Sequence, residues 1–142
     1  MIYTAKNTVT RQTVTRLLAD CSIRPTQQRV EIAYLLLARP QHMSADQVLM
    51  RVNSNKVMVS KATVYNTLNL FAEKGLVRQV IIDPGKVFYD SNTGSHHHIY
   101  NEDTGTLQDI DSVDMEVKKL PPLPADVTAS GIDIIVRVKN KV

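Results

Sequence analysis

The chain is poor in the residues that build covalent or thiolate-based sites: it has one cysteine, Cys21, among 142 residues. A single thiol excludes an intrachain disulfide and any zinc site built from four cysteines. Tryptophan is absent and phenylalanine occurs twice, so aliphatic side chains must supply most of any core. No apolar run reaches the roughly 18 residues that a membrane helix needs, and no membrane partner is expected. The opening stretch MIYTAKNTVT lacks an apolar core and a small-residue cleavage site, so no secretory leader is expected and the compartment is read as cytoplasmic. Equally missing are HExxH, a nucleophile elbow and a Gly-rich phosphate loop. Without them the reading is not an enzyme.

What is present is unevenly spread. Residues 1–90 carry 12 Lys/Arg against 6 Asp/Glu, whereas residues 91–142 carry 5 against 8. A basic first part and an acidic second part suit different partners, phosphate for one and cations for the other.

The first part reads as helical. Val14, Leu17, Leu18 and Cys21 recur at the spacing of one helix face, as do Val30, Ala33, Tyr34 and Leu37 in a second helix expected to start near Pro25. Ser44-Ala45-Asp46-Gln47 is a capping-box pattern opening a third helix. A fourth begins after Ser60 and stops at Gly75. Its apolar stripe is Val64, Leu68 and Phe71, while Lys61, Tyr65 and Asn69 form a row on another side. Such a row suits a major groove, where polar side chains read base edges and lysine holds phosphate.

Next come two β-rich runs, residues 76–82 and 86–90, around the turn Asp83-Pro84-Gly85. Helices followed by such a hairpin make a winged helix-turn-helix, with Lys86 near the wing tip and Arg24 and Arg29 as further basic points. The expected class is therefore α+β. A winged-helix domain spans 1–90, a polar linker 91–95, and a small β-rich domain 96–142. In that last domain strands are expected at 96–101, 106–110 and 132–139. Between the last two, Pro121, Pro122 and Pro124 exclude a long helix.

Three consecutive histidines open the second part. On a strand His96 and His98 share one face and His97 takes the other. If Asn101 pairs with Thr106, His98 lies opposite Asp109, and cross-strand partners share a face. His96, His98 and Asp109 then converge, with Asp90 approaching from the end of the wing. Two imidazoles and two carboxylates suit Mn²⁺, Fe²⁺ or Zn²⁺ better than Ca²⁺ or Mg²⁺, which prefer oxygen alone.

These features together resemble the ferric uptake regulator (Fur) family, from about Val14 to Lys139. The most specific stretch, Val59-Ser60-Lys61-Ala62-Thr63-Val64-Tyr65-Asn66-Thr67-Leu68, is similar to the family's recognition helix, and Arg24-Pro25-Thr26-Gln27-Gln28-Arg29 to its motif opening the second helix. Ser95-His96-His97-His98, the missing cysteines and Ile132–Val138 look most like the iron response regulator branch.

The resemblance implies a regulatory metal held by His42, Asp90, His96, His98 and Asp109 between the two domains. A second metal site in relatives corresponds to His97, Glu116 and Asp133, where the proline-rich stretch replaces a family helix. Haem is implied by the branch, but Cys21 is followed by Ser22 in place of proline, which leaves the triple histidine as the axial donor. Asn101 and Thr104 stand where the family carries a CxxC pair, so the structural zinc is not expected. For DNA, the implied set is Arg24, Arg29, Ser60, Lys61, Thr63, Tyr65, Asn66 and Lys86, with Tyr65 on a thymine and Arg24 in an A·T-rich minor groove. The implied assembly is a homodimer, its intersubunit sheet helped by Ile132–Val138. It reads an A·T-rich inverted repeat and acts as a repressor in iron or metal homeostasis. Two alternatives stand beside this: a peroxide-sensing metal-dependent repressor, and a metal-binding protein-interaction module.

Overall fold

The computed structural model describes residues 8–94, 96–111 and 115–142. Ser95 of the expected linker and residues 112–114 of the irregular stretch lie outside the described residues. The chain divides into two compact units between Thr93 and Gly94.

The first unit contains α1 (Arg11–Asp20), α2 (Gln27–Leu37), β1 (His42–Ser44), α3 (Ala45–Val52), α4 (Lys61–Glu73), β2 (Arg78–Asp83) and β3 (Lys86–Asp90). Every helix begins on a hydroxyl N-cap: Thr10, Thr26, Ser44 and Ser60 each accept the backbone N–H three residues on. Ser44 and Gln47 form the expected reciprocal box. Pro25, expected in the first turn of α2, lies just before the cap, because Thr26 supplies the oxygen that proline lacks. Gly75, at φ +76°, ends the turn after α4 in the left-handed region that favours glycine.

The core forms where the four helices turn their apolar faces inward. Val14, Leu18, Ile32, Leu36, Val48, Val64, Leu68 and Phe71 are fully buried, each large side chain contributing roughly 1.5–3 kcal/mol. The stripe of α4 is the one its spacing predicts. In α2 the buried set is Ile32, Ala33, Leu36 and Leu37, with Val30 and Tyr34 half-buried. This differs from the expected face because the apolar run 32–37 offers several phases, and contacts with neighbours choose one. Arg11 clamps α1 to α2, bonding both Glu31 oxygens at 2.6 and 3.1 Å and lying 4.4 Å from the Tyr34 ring centroid.

Strand β3 is central in a three-stranded antiparallel sheet of order β1-β3-β2. The short β1 was not among the expected elements, since three residues show no readable alternation. Ser91 extends its pairing: its N–H donates to the Gln41 carbonyl at 2.9 Å and its Oγ accepts the Gln41 N–H at 3.0 Å. It is thus part of the first unit, and not of a linker beginning at 91.

The second unit is a sheet of order β5-β4-β6, from β4 (His97–Asn101), β5 (Leu107–Ile110) and β6 (Ile135–Val138). β4 and β5 form an antiparallel hairpin, and β6 lies parallel to β4. The last strand is shorter than the expected 132–139 and pairs within its own chain. No helix occurs among the described residues between β5 and β6. Around the hairpin turn, Asn101 Oδ1 accepts the N–H groups of Asp103 and Thr104 at 2.9 and 3.1 Å, and its Nδ2 donates to Asn140 Oδ1 at 2.8 Å.

One polar side chain shapes the approach to α4. Asn53 Oδ1 accepts the N–H groups of Met58 and Val59 at 2.8 and 2.9 Å, and its Nδ2 donates to the Val59 carbonyl at 2.9 Å. Replacing Asn53 by Ala leaves two part-buried donors unpaired and is expected to lower stability by about 2 kcal/mol. Urea unfolding followed by circular dichroism checks this, with exposed Asn55→Ala as the control expected to change little.

Candidate metal centre and nucleic-acid interface

The hairpin turn sets the register of the second unit. Asn101 N–H donates to the Thr106 carbonyl at 3.0 Å, and Gly105, at φ +72°, returns its N–H to Asn101 at 2.8 Å. From there the pairing runs Tyr100–Leu107, Ile99–Gln108, His98–Asp109, as the spacing predicts. A slip of one residue would turn His98 to the opposite face.

His96 lies just before β4. Its Nδ1 is 2.7 Å from the Gly94 carbonyl oxygen. A carbonyl can only accept, so Nδ1 carries the proton, and Nε2 is the ring nitrogen left for a metal. That Nε2 is 3.6 Å from Asp109 Oδ1, and His98 Nε2 is 3.3 Å from the same atom. Both imidazoles are buried, whereas the Asp109 side chain is 48% exposed and open to an arriving ion. One ligand atom from each of the three residues lies within 4.8 Å of the others. Ligands of a tetrahedral ion with bonds near 2.1 Å stand about 3.4 Å apart, so the spacing fits a transition metal. The hydrogen bond to Gly94 is the outer support such a histidine ligand needs.

The first unit contributes a separate pair. His42 on β1 and Asp90 on β3 are register partners and share a face, and Arg78 on β2 flanks Asp90 from the other side. Asp90 Oδ1 accepts the Asn92 N–H at 2.9 Å, and the His42 ring stands edge-on to Phe88 at 6.2 Å. Periodicity could not select His42. The resemblance supplied it, and the sheet pairing shows it beside a carboxylate.

His97, Glu116 and Asp133 are not gathered within one chain. His97 Nδ1 accepts the Ile134 N–H at 3.2 Å, while Glu116 and Asp133 are exposed. Among the described residues no metal-binding cluster includes these three.

On the helical unit, Lys61, Tyr65 and Asn66 lie exposed along the first half of α4, and Arg24 and Lys86 are exposed as well. Ser60 and Thr63 bond each other in the cap, and Arg29 Nη1 donates to the Arg24 carbonyl at 3.1 Å. Tyr65 donates its hydroxyl to Asp46 Oδ1 at 3.2 Å. Loss of solvation, then the Asp46 charge and this hydrogen bond, raise the Tyr65 pKa above the ordinary phenol value, so the donor proton is retained at neutral pH. Asn69 is exposed, as the outward row requires, and its Oδ1 also accepts from Tyr89 Oη at 3.0 Å and Gln79 Nε2 at 3.4 Å, contacts no helical spacing can reveal.

Residues 20–123 match the ferric uptake regulator family. Over 92 residues, 65% of this chain, the sequence is 32% identical to the peroxide-responsive repressor PerR of Staphylococcus aureus strain Mu50, and it spans 62% of that protein's length. Among solved structures, the chain is similar to the ferric uptake regulator from Pseudomonas aeruginosa with manganese, at TM-score 0.68 and 25% identity over 90% of this chain and 98% of that one. It is also similar to the Vibrio cholerae ferric uptake regulator, at TM-score 0.69 and 24% identity over 89% of this chain and 98% of that one. The shared fold is the mixed one described above, with a small β-rich C-terminal part. Since the family match runs from the end of α1 through α2, α4 and the β4–β5 hairpin, this chain belongs to the ferric uptake regulator family, a family of transcription regulators and not of enzymes.

Proposed function

We infer that the chain is a homodimeric, sequence-specific DNA-binding regulator, acting as a repressor in metal homeostasis, with operator affinity controlled by a divalent transition metal. The observation that carries this is the convergence of His96 Nε2 and His98 Nε2 on Asp109. Two imidazole nitrogens facing one carboxylate oxygen leave a place among them for a cation. Asp90, with His42 beside it on the sheet, precedes His96 by six positions in the chain. One ion bound by His42, Asp90, His96, His98 and Asp109 ties the DNA-binding domain to the sensing domain across the short segment between β3 and β4. Metal then favours the DNA-competent arrangement through its greater affinity for it. Three imidazoles and two carboxylates suit Mn²⁺, Fe²⁺ and Zn²⁺, with availability deciding among them.

Dimerisation is supported by the apolar surface of the second unit. Its buried hydrophobic residues are Tyr100 and Leu107, whereas Val117, Leu120, Leu123, Val127, Ile132 and Val136 are exposed among the described residues. A unit this small rarely holds itself together without a partner, and exposed apolar patches mark contact sites. β5 and β6 are open edges of the sheet, where a second copy can add. A dimer in turn matches a two-fold, A·T-rich inverted repeat, approached by Arg24, Arg29, the exposed side of α4 and Lys86. No helix among the described residues is long and apolar enough to cross a membrane, and a DNA-binding role places the protein in the bacterial cytoplasm.

Haem, the signal suggested by likeness to the iron response branch, has weaker support. His96 and His98 are turned toward Asp109, and His97 Nδ1 already accepts an N–H. His97, Glu116 and Asp133 would form a second metal site only if the described chain around Glu116 and Asp133 rearranged. Peroxide sensing is the better second reading, favoured by the 32% identity to the Staphylococcus aureus repressor. Fe²⁺ bound through histidines can turn peroxide on its own ligands.

Anisotropy with an A·T-rich inverted-repeat duplex at fixed salt tests the metal reading. Mn²⁺ is expected to tighten binding at least tenfold, and Asp109→Asn to remove most of that gain while leaving apo binding unchanged. Equal affinity with and without Mn²⁺ sinks the sensor. In the same assay Tyr65→Ala is expected to weaken operator binding by about 1–3 kcal/mol. An unchanged affinity favours a protein-interaction module. Mass spectrometry after Fe²⁺ and peroxide is expected to find one added oxygen on His42 or His96, and unmodified histidines would count against peroxide sensing.

A further inference from the structure

Tyr65 is held from two sides. Its hydroxyl donates to Asp46 Oδ1 at 3.2 Å, and Lys61 Nζ lies 5.8 Å from the ring centroid, within range of a cation–π contact. Asp46 sits in the first turn of α3, where the partial positive charge of the helix start favours its ionised form. The capping box of that helix belongs to Ser44 and Gln47, so Asp46 is not needed as the cap. A carboxylate beside an exposed lysine–tyrosine row repels phosphate and, for a surface that binds nucleic acid, lowers affinity for every sequence. Its presence calls for a compensating role, and the hydrogen bond to Tyr65 provides one.

We propose that Asp46 is a positioning residue that determines what Tyr65 reads: by holding the hydroxyl, it presents the aromatic ring, and not the phenol donor, to the DNA. This deepens the DNA-binding reading and rests on it. A tyrosine with a free hydroxyl can donate to acceptors on several bases, because N7, O6 and O4 all line the major groove. With the donor committed to Asp46, the ring offers apolar surface, and the apolar group in the major groove is the thymine C5-methyl. Asp46 thus trades general affinity for thymine selectivity. Because both side chains are solvent-exposed, the hydrogen bond contributes little to folding stability, and its removal leaves the fold intact.

The test uses the full chain with Mn²⁺ present and three duplexes of equal length: an A·T-rich inverted repeat, the same duplex with deoxyuridine for every thymidine, and a shuffled G·C-rich sequence. Deoxyuridine removes only the methyl groups. For the unmodified chain, deoxyuridine is expected to weaken binding about fourfold for each methyl contacted, the factor that burial of one such group supplies. Asp46→Ala is expected to bring the thymidine-to-deoxyuridine ratio close to one and to tighten binding to the shuffled duplex. Asp46→Asn keeps an oxygen acceptor without the charge, so it is expected to retain the ratio while tightening all three duplexes. Thermal unfolding should fall by no more than a few degrees for both variants, since each loses a charge that the start of α3 favours. The proposal is overturned if Asp46→Ala keeps the original ratio, if Asp46→Asn loses it equally, or if the unmodified chain prefers the inverted repeat yet ignores the methyl groups. Absence of any preference for the inverted repeat over the shuffled duplex refutes the DNA reading itself.

Discussion

Strand β3 is bonded along both edges, to β1 and to β2, and its strict alternation lets one short segment serve two faces of the sheet. Tyr89 turns toward the helices, where it is buried in the core and bonds Asn69 on α4. Asp90, the next residue, turns the other way and shares its face with His42. The backbone that positions the Asp90 carboxylate beside His42 therefore also anchors α4. Neither function tolerates a register shift, since moving β3 by one residue would exchange the two faces.

The same logic governs the second unit with fewer resources. Three short strands supply little core, and the hairpin turn around Asn101 and Gly105 sets the alignment. Asn101 bonds both the turn and Asn140 beyond β6, so one amide ties the hairpin turn to the exit of β6 at the same end of the sheet. This polar knot stands where a cysteine pair was absent from the sequence, and it works through hydrogen bonds alone. Stable geometry here matters because His98 and Asp109 come from different strands and meet only in this register.

The exposed side of α4 shows how tertiary contacts distinguish residues that look alike along a helix. Lys61, Tyr65 and Asn69 follow one another at four-residue intervals, yet their side chains differ in role. Asn69 is engaged by the wing, Tyr65 is restrained by α3, and Lys61 lies over the tyrosine ring. The restraint on Tyr65 reduces the side-chain freedom that any binding event would otherwise remove, a form of preorganisation.

Much was determined by the sequence alone. Hydroxyl caps and apolar spacing marked the helices, the Pro-Gly turn marked the wing, and the count from Asn101 to Thr106 placed His98 opposite Asp109. These are local features, dictated by backbone chemistry within a few residues. The phase of α2, the strand at His42–Ser44, the parallel pairing of β6 and the partners of Asn69 and Asp46 were decided only by the tertiary structure. Each depends on residues distant in the chain, and the reason is physical: periodicity says which side of an element is apolar, but only packing and hydrogen bonding with its neighbours decide what that side meets.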